Sequence, residues 1–93
     1  MKIRLPKGVV WTQLGDEVAI LNSATGTYFG LDPVGSRIWC LVVEGKSLDE
    51  VASIVLLEYQ VEESRVRSDV SELIDQLVAR SLVEVSSDEE SRE

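Results

Sequence analysis

The stretch Gly26-Thr27-Tyr28-Phe29-Gly30-Leu31-Asp32-Pro33-Val34-Gly35-Ser36-Arg37-Ile38-Trp39 is where the chain changes its hydrophobic period. Residues 27–31 (TYFGL) are aromatic-rich and bounded by turn formers, which reads as a short strand. Asp32-Pro33 is then a helix start. The aspartate offers an acceptor to free backbone N–H groups, and proline suits the first helical position because its missing donor would be unpaired there anyway. Beyond it Val34, Ile38, Leu41 and Val42 recur on one helical face, and Gly45 supplies a stop. A strand delivered into a capped helix divides the 93 residues into a β part followed by an α part.

Upstream, residues 9–14 are rich in β-branched and aromatic side chains, Gly15-Asp16 is a turn signal, and residues 17–21 form a second strand. Residues 22–26 are polar and end in glycine, a connecting loop. With residues 27–31 this predicts a three-stranded antiparallel meander. Downstream, Ser47 and Glu50 have capping-box spacing, and Val51, Ile54, Val55 and Tyr59 continue the apolar face of a second helix. A third helix is predicted over 62–81, with Val66, Val70, Leu73, Ile74, Leu77 and Val78 as its stripe. Residues 82–85 form a short closing strand, and the acidic, serine-rich 86–93 a disordered tail. The expected fold class is α+β, a winged helix-turn-helix: a three-stranded antiparallel sheet followed by three helices, in one domain over 1–85.

Composition removes whole classes of function. The formal charge is -8, and residues 62–80 carry Glu62, Glu63, Asp69, Glu72 and Asp75 against Arg65, Arg67 and Arg80. A surface of that sign repels phosphates, so nucleic acid is not an expected partner, and neither is an anionic membrane surface. The absence of histidine removes the commonest general base and metal ligand. Cys40 is the only cysteine and follows Trp39 in an apolar helix, where it reads as a small hydrophobe. Asp69, Glu72 and Asp75 have the spacing of a solvated helix side, and Ser36 and Ser47 have no base. The expectation is therefore a non-enzyme with no metal and no cofactor. No apolar run is long enough to span a bilayer, and the basic start lacks the apolar core of a signal peptide, so a cytoplasmic location is expected.

What remains is the strand over 27–31. Tyr28 and Gly30 face one way, Thr27, Phe29 and Leu31 the other. As the last strand of a meander it sits at an edge, and no charge or proline blunts it. An unguarded edge beside an apolar helix is what strand addition of a peptide needs. The walls of such a groove are expected from Thr27, Tyr28, Phe29, Gly30 and Leu31 on one side and Val70, Leu73, Ile74 and Leu77 on the other. Arg67, with Arg65 and Arg80, is positioned to attract acidic residues of the peptide.

Tyr28, Gly30, Leu31, Asp32 and Gly35, followed by a helix carrying Ile38-Trp39, resemble the strand-to-helix signature of PqqD-like proteins. EVAILN, SLDEVASIVLLEYQV and DVSELIDQLVARSLVEV are similar to that family's second strand, second helix, and third helix with closing strand; the likeness spans 9–85. The resemblance implies a RiPP recognition element. Such a domain binds the leader of a ribosomally made precursor peptide as a strand between the third strand and the third helix. A chain of this size beginning with methionine looks most like the lasso-peptide version. That version implies a leader with a tyrosine and, three residues later, a proline, handed to a leader peptidase and then a cyclase. Two other readings rest on the residues alone: a winged-helix regulator, and a protein-assembly domain using the same groove. Salt separates phosphate recognition from both groove readings. Ligand binding measured across a salt series should weaken only gently; a fall of about a thousandfold between ~50 and ~200 mM salt would mark phosphate recognition instead.

Overall fold

A computed structural model describes residues 2–86. Its elements are β1 (Lys2–Arg4), β2 (Val9–Leu14), β3 (Glu17–Asn22), β4 (Thr27–Leu31), α1 (Pro33–Val43), α2 (Leu48–Tyr59), α3 (Glu63–Ala79) and β5 (Glu84–Ser86). The α+β class, the meander and the three helices stand as read, with the sheet order β2-β3-β4. Two details differ. Lys2–Arg4 is a strand that the sequence reading passed over, and it pairs antiparallel with β5 to make a separate two-stranded ladder. Ser86, assigned above to the tail, closes β5; the rest of that tail lies outside the described residues.

The junction after β4 shows why the signature has its residues. The Asp32 carboxylate accepts the Gly35 N–H at 2.7 Å, and Pro33 opens the helix. A Cβ on Gly35 would stand 3.1 Å from the same carboxylate oxygen, so the glycine keeps room for the cap. Ser36 Oγ donates to the Leu31 carbonyl at 3.2 Å, tying the helix back to the strand that feeds it. At α2, Ser47 Oγ accepts the Glu50 N–H at 3.1 Å and the Glu50 carboxylate accepts the Ser47 N–H at 2.8 Å, the reciprocal capping box.

The core lies between the inner face of the meander and the helices. Val18, Ile20 and Leu31 come from the sheet, Ile38, Trp39, Leu41 and Val42 from α1, Val51 and Val55 from α2, and Val66, Val70, Ile74 and Leu77 from α3. Leu82 and Val83 plug it beyond α3. Each such aliphatic side chain stabilises the fold by about 1.5–3 kcal/mol relative to exposure, so this shared interior holds the layers together. Trp11 meets buried Trp39 edge-to-face, ring centroids 5.9 Å apart. On the surface, Arg37 grips Glu58 through two nitrogens at 2.8 and 3.0 Å and pins α1 to α2. That hydrogen bonding holds the Glu58 carboxyl below its ordinary value and raises Arg37 above its own.

One polar residue links the layers from inside. Asn22, read above as the start of a loop, is the last residue of β3 and is buried. Its Nδ2 donates to the Ser81 carbonyl at 2.8 Å, while its Oδ1 accepts the Ala24 N–H at 2.9 Å and the Thr25 N–H at 3.3 Å. It shapes the turn into β4 and anchors the exit of α3, where Ser81 holds a positive φ of 61°. Asn22→Ala strips partners from three backbone groups at once. Urea denaturation should show a loss of about 1–3 kcal/mol, the desolvation cost of a buried unpaired group. A loss indistinguishable from zero would mean that water or relaxation replaces the amide.

Candidate functional site: a strand edge beside an apolar cleft

β4 ends the three-stranded sheet, so one side of its backbone pairs with β3 and the other meets no strand among the described residues. Register sorts its side chains. Phe29 stands opposite buried Ile20 and Leu31 opposite buried Val18, which puts both on the inner face. Tyr28 stands opposite Leu21 and Gly30 opposite Ala19, which puts them on the outer face. Tyr28 is 66% exposed there. Phe29 is half-buried, and the Arg80 guanidinium from the end of α3 lies over its ring, 4.8 Å from the centroid. Such stacking is worth about 0.5–1 kcal/mol at an exposed site and keeps the end of α3 beside the strand.

A cleft of about 640 Å³ opens at the C-terminal end of β4, between the first turn of α1, the end of α2 and the flank of α3. Its walls are apolar: Val34 and Ile38 from α1, Val55 and Tyr59 from α2, Val61 from the connection, and Val66, Val70 and Leu73 from α3. Asp32, Arg65, Asp69, Glu72 and Gln76 form the rim. Val34, Tyr59 and Val61 are each more than a third exposed, so the cleft offers apolar surface to solvent. The cleft begins one residue past the end of β4, at Asp32, which caps α1 and lines the cleft.

Of the predicted wall residues, Val70 and Leu73 line this cleft. Ile74 and Leu77, one helical step away, are buried in the core at 5% and 1% exposure. Leu31 is likewise core, whereas half-buried Thr27 belongs to the edge strand. Tyr28 and Gly30 line a second, shallower depression on the outer sheet face with Leu14 and Ala19. Arg67 is not at the cleft. It bridges helices, bonding Asp49 of α2 at 2.8 Å and Glu63 at 3.1 Å, and these hydrogen bonds raise its pKa. Val34, Tyr59 and Val61 are wall residues not expected at the site, though Val34 and Tyr59 were visible as apolar positions at helix ends; of the three arginines expected to attract an acidic peptide, Arg65 lines the cleft.

Among the described residues no group of three or more acidic, histidine or cysteine side chains could hold a metal ion. No helix there is long and apolar enough to cross a membrane. The chemistry on offer is therefore a backbone edge, apolar walls and a charged rim.

Comparison with known proteins places this architecture. The family described as coenzyme PQQ synthesis protein D (PqqD) matches residues 17–83. A structure of TbiB1 in complex with the TbiA(beta) leader peptide superposes with a TM-score of 0.85 at 41% identity, over 95% of this chain and 100% of that one. A structure of lasso peptide synthetase B1 complexed with the leader peptide gives a TM-score of 0.85 at 22% identity, over 91% and 100%, which speaks to the fold alone. No curated protein matches.

The placement of α3 side chains generates a test. Ile74→Ala and Leu77→Ala should each cost about 2–5 kcal/mol of stability, the range for truncating a buried aliphatic side chain. Leu73→Ala, half-buried at the cleft, should cost clearly less by chemical denaturation. Equal losses at all three positions would place Leu73 in the core and remove it from the cleft wall.

Proposed function

The chain belongs to the PqqD family, and on that premise we propose that it is a RiPP recognition element that binds the leader of a lasso-type precursor peptide. The observation that carries this is the unblunted β4 edge with an apolar cleft beginning at Asp32, in a chain 41% identical to TbiB1, whose structure holds a leader peptide. The leader adds as a strand along Thr27, Tyr28, Phe29, Gly30 and Leu31 and lowers its anchors into the cleft against Val70 and Leu73. In this reading α2 and α3 are the helix-turn-helix and the β2–β3 hairpin is the wing. The protein presents the bound precursor to a leader peptidase and a cyclase and performs no chemistry itself.

The energetics assign affinity to the anchors. Four or five strand hydrogen bonds contribute roughly 0.5–1.5 kcal/mol each. Ordering about five residues of a flexible leader costs roughly 1–2 kcal/mol per residue, which offsets them. Two buried anchors at roughly 1.5–3 kcal/mol each then decide the outcome. A tyrosine anchor brings a large ring at small entropic cost, and a proline three residues on stiffens the leader before it binds.

Proline scanning tests the edge. Adjacent strand residues send their N–H groups to opposite sides, so of Phe29 and Gly30 one points its donor at β3 and the other at the free edge. Proline at the outward position removes a donor that the leader needs while sparing the β3 ladder. Titration of a fluorescent TbiA(beta) leader peptide should then show binding lost in a variant whose circular dichroism is unchanged. Leu73→Ala should weaken the same peptide about tenfold, near 1.4 kcal/mol, with little change in Tm. Normal binding by both folded proline variants would remove strand addition from the mechanism.

A further inference from the structure

The rim of the cleft carries a sign opposite to the one suggested by the arginines of α3. Arg67 is consumed by Asp49 and Glu63, away from the cleft. Arg80 is stacked on Phe29 and donates to the Gln76 carbonyl. Only Arg65 reaches the rim, and it faces Asp69 at 3.8 Å. Against this single guanidinium stand three carboxylates, Asp32, Asp69 and Glu72. Asp32 has one oxygen engaged by the Gly35 N–H, and Glu72 has no ion pair among the described residues. The rim is therefore net negative around an apolar slot.

We propose that the peptide occupying this cleft carries a lysine or arginine beside its apolar anchor, with the cation at Glu72 and Asp69; this rests on the leader-binding reading above. The match is one of shape as well as charge. A lysine or arginine lays an aliphatic stem along apolar surface while its head stays in water. The cleft lining offers both parts: apolar Val34, Leu73 and Val70, and the exposed carboxylates of Asp32, Asp69 and Glu72. An acidic residue at the same place would meet uncompensated like charge, so the rim selects against acidic leaders as much as for basic ones. Because all these groups are exposed, the preference is modest, is screened by salt, and acts on association rate as well as affinity.

The experiment uses the TbiA(beta) leader peptide in two synthetic series, each position replaced in turn by lysine and by glutamate, titrated by fluorescence anisotropy. With the wild-type protein at low salt, one short stretch of the peptide should favour lysine over glutamate by roughly two- to fivefold, the range for an exposed ion pair. That preference should shrink in high salt and collapse in the D69N/E72Q variant. It should persist in E44Q/D75N, which makes the same change of net charge outside the cleft lining. Binding of the parent peptide with no lysine preference at any position would overturn the proposal. So would a preference unchanged in D69N/E72Q, or one lost equally in E44Q/D75N, which would reflect net charge alone. If the parent peptide does not bind the wild-type protein at all, the leader-binding reading itself fails, and this inference falls with it.

Discussion

The hydrogen bond from Gly35 N–H to the Asp32 carboxylate is the contact on which the rest of the molecule hangs. It converts an edge strand into a helix with no intervening loop, so β4 and α1 are held at a fixed angle. With Ser36 bonded back to the Leu31 carbonyl, the junction has little freedom to open. That angle sets the first turn of α1 opposite the flank of α3 and thereby makes the cleft. It also leaves β4 as the last strand, because the chain departs from the sheet and cannot fold a neighbour onto it. Edge and cleft are thus two products of one turn. The motif's requirement for Asp and Gly three residues apart is mechanical: one supplies the acceptor, the other lacks the Cβ that would stand 3.1 Å from it.

A site made this way suits an extended ligand more than a compact one. The cleft is open to solvent, and its apolar lining is shared among three helices and the connection after α2. A small molecule would bury too little of itself in such a place, since good small-ligand pockets enclose most of their occupant. Under the proposed leader-binding role, a peptide would combine backbone pairing along the strand with one or two side chains placed in the cleft. Neither contribution suffices alone, because the strand bonds are offset by chain ordering.

How much of this could be read from residues alone depends on the range of the interaction. The caps at Asp32 and Ser47, the breaks at Gly15 and Gly45, and the apolar stripe of α3 are local, and they stand as read except that Val78, counted in the stripe, is exposed. Alternation correctly separated Tyr28 from Phe29 but could not choose which ring faces inward; the register with β3, Phe29 opposite Ile20, makes that choice. Leu73 and Ile74 differ by one helical step of 100°, and only the positions of α1 and α2 decide which is wall and which is core. Arg67 turned away from the cleft because Asp49 on another helix, a partner that sequence spacing does not reveal, joins Glu63 of its own helix in holding it. Strand β1 escaped because three residues, KIR, carry no measurable period, and their partner lies at the far end of the chain.

That last pairing has a consequence for architecture. With Lys2 opposite Ser86, the path of the described chain begins and finishes at one spot, like a loop of string pinched shut. A domain closed in this manner is modular: it can be spliced into the middle of a larger polypeptide, entering and leaving through neighbouring points, without prising its interior apart. By the same topology its sequence can be rotated. A short linker across the β1–β5 ladder and a cut at the exposed Gly45-Lys46 bend would relocate both ends while retaining the meander, the cap and the cleft.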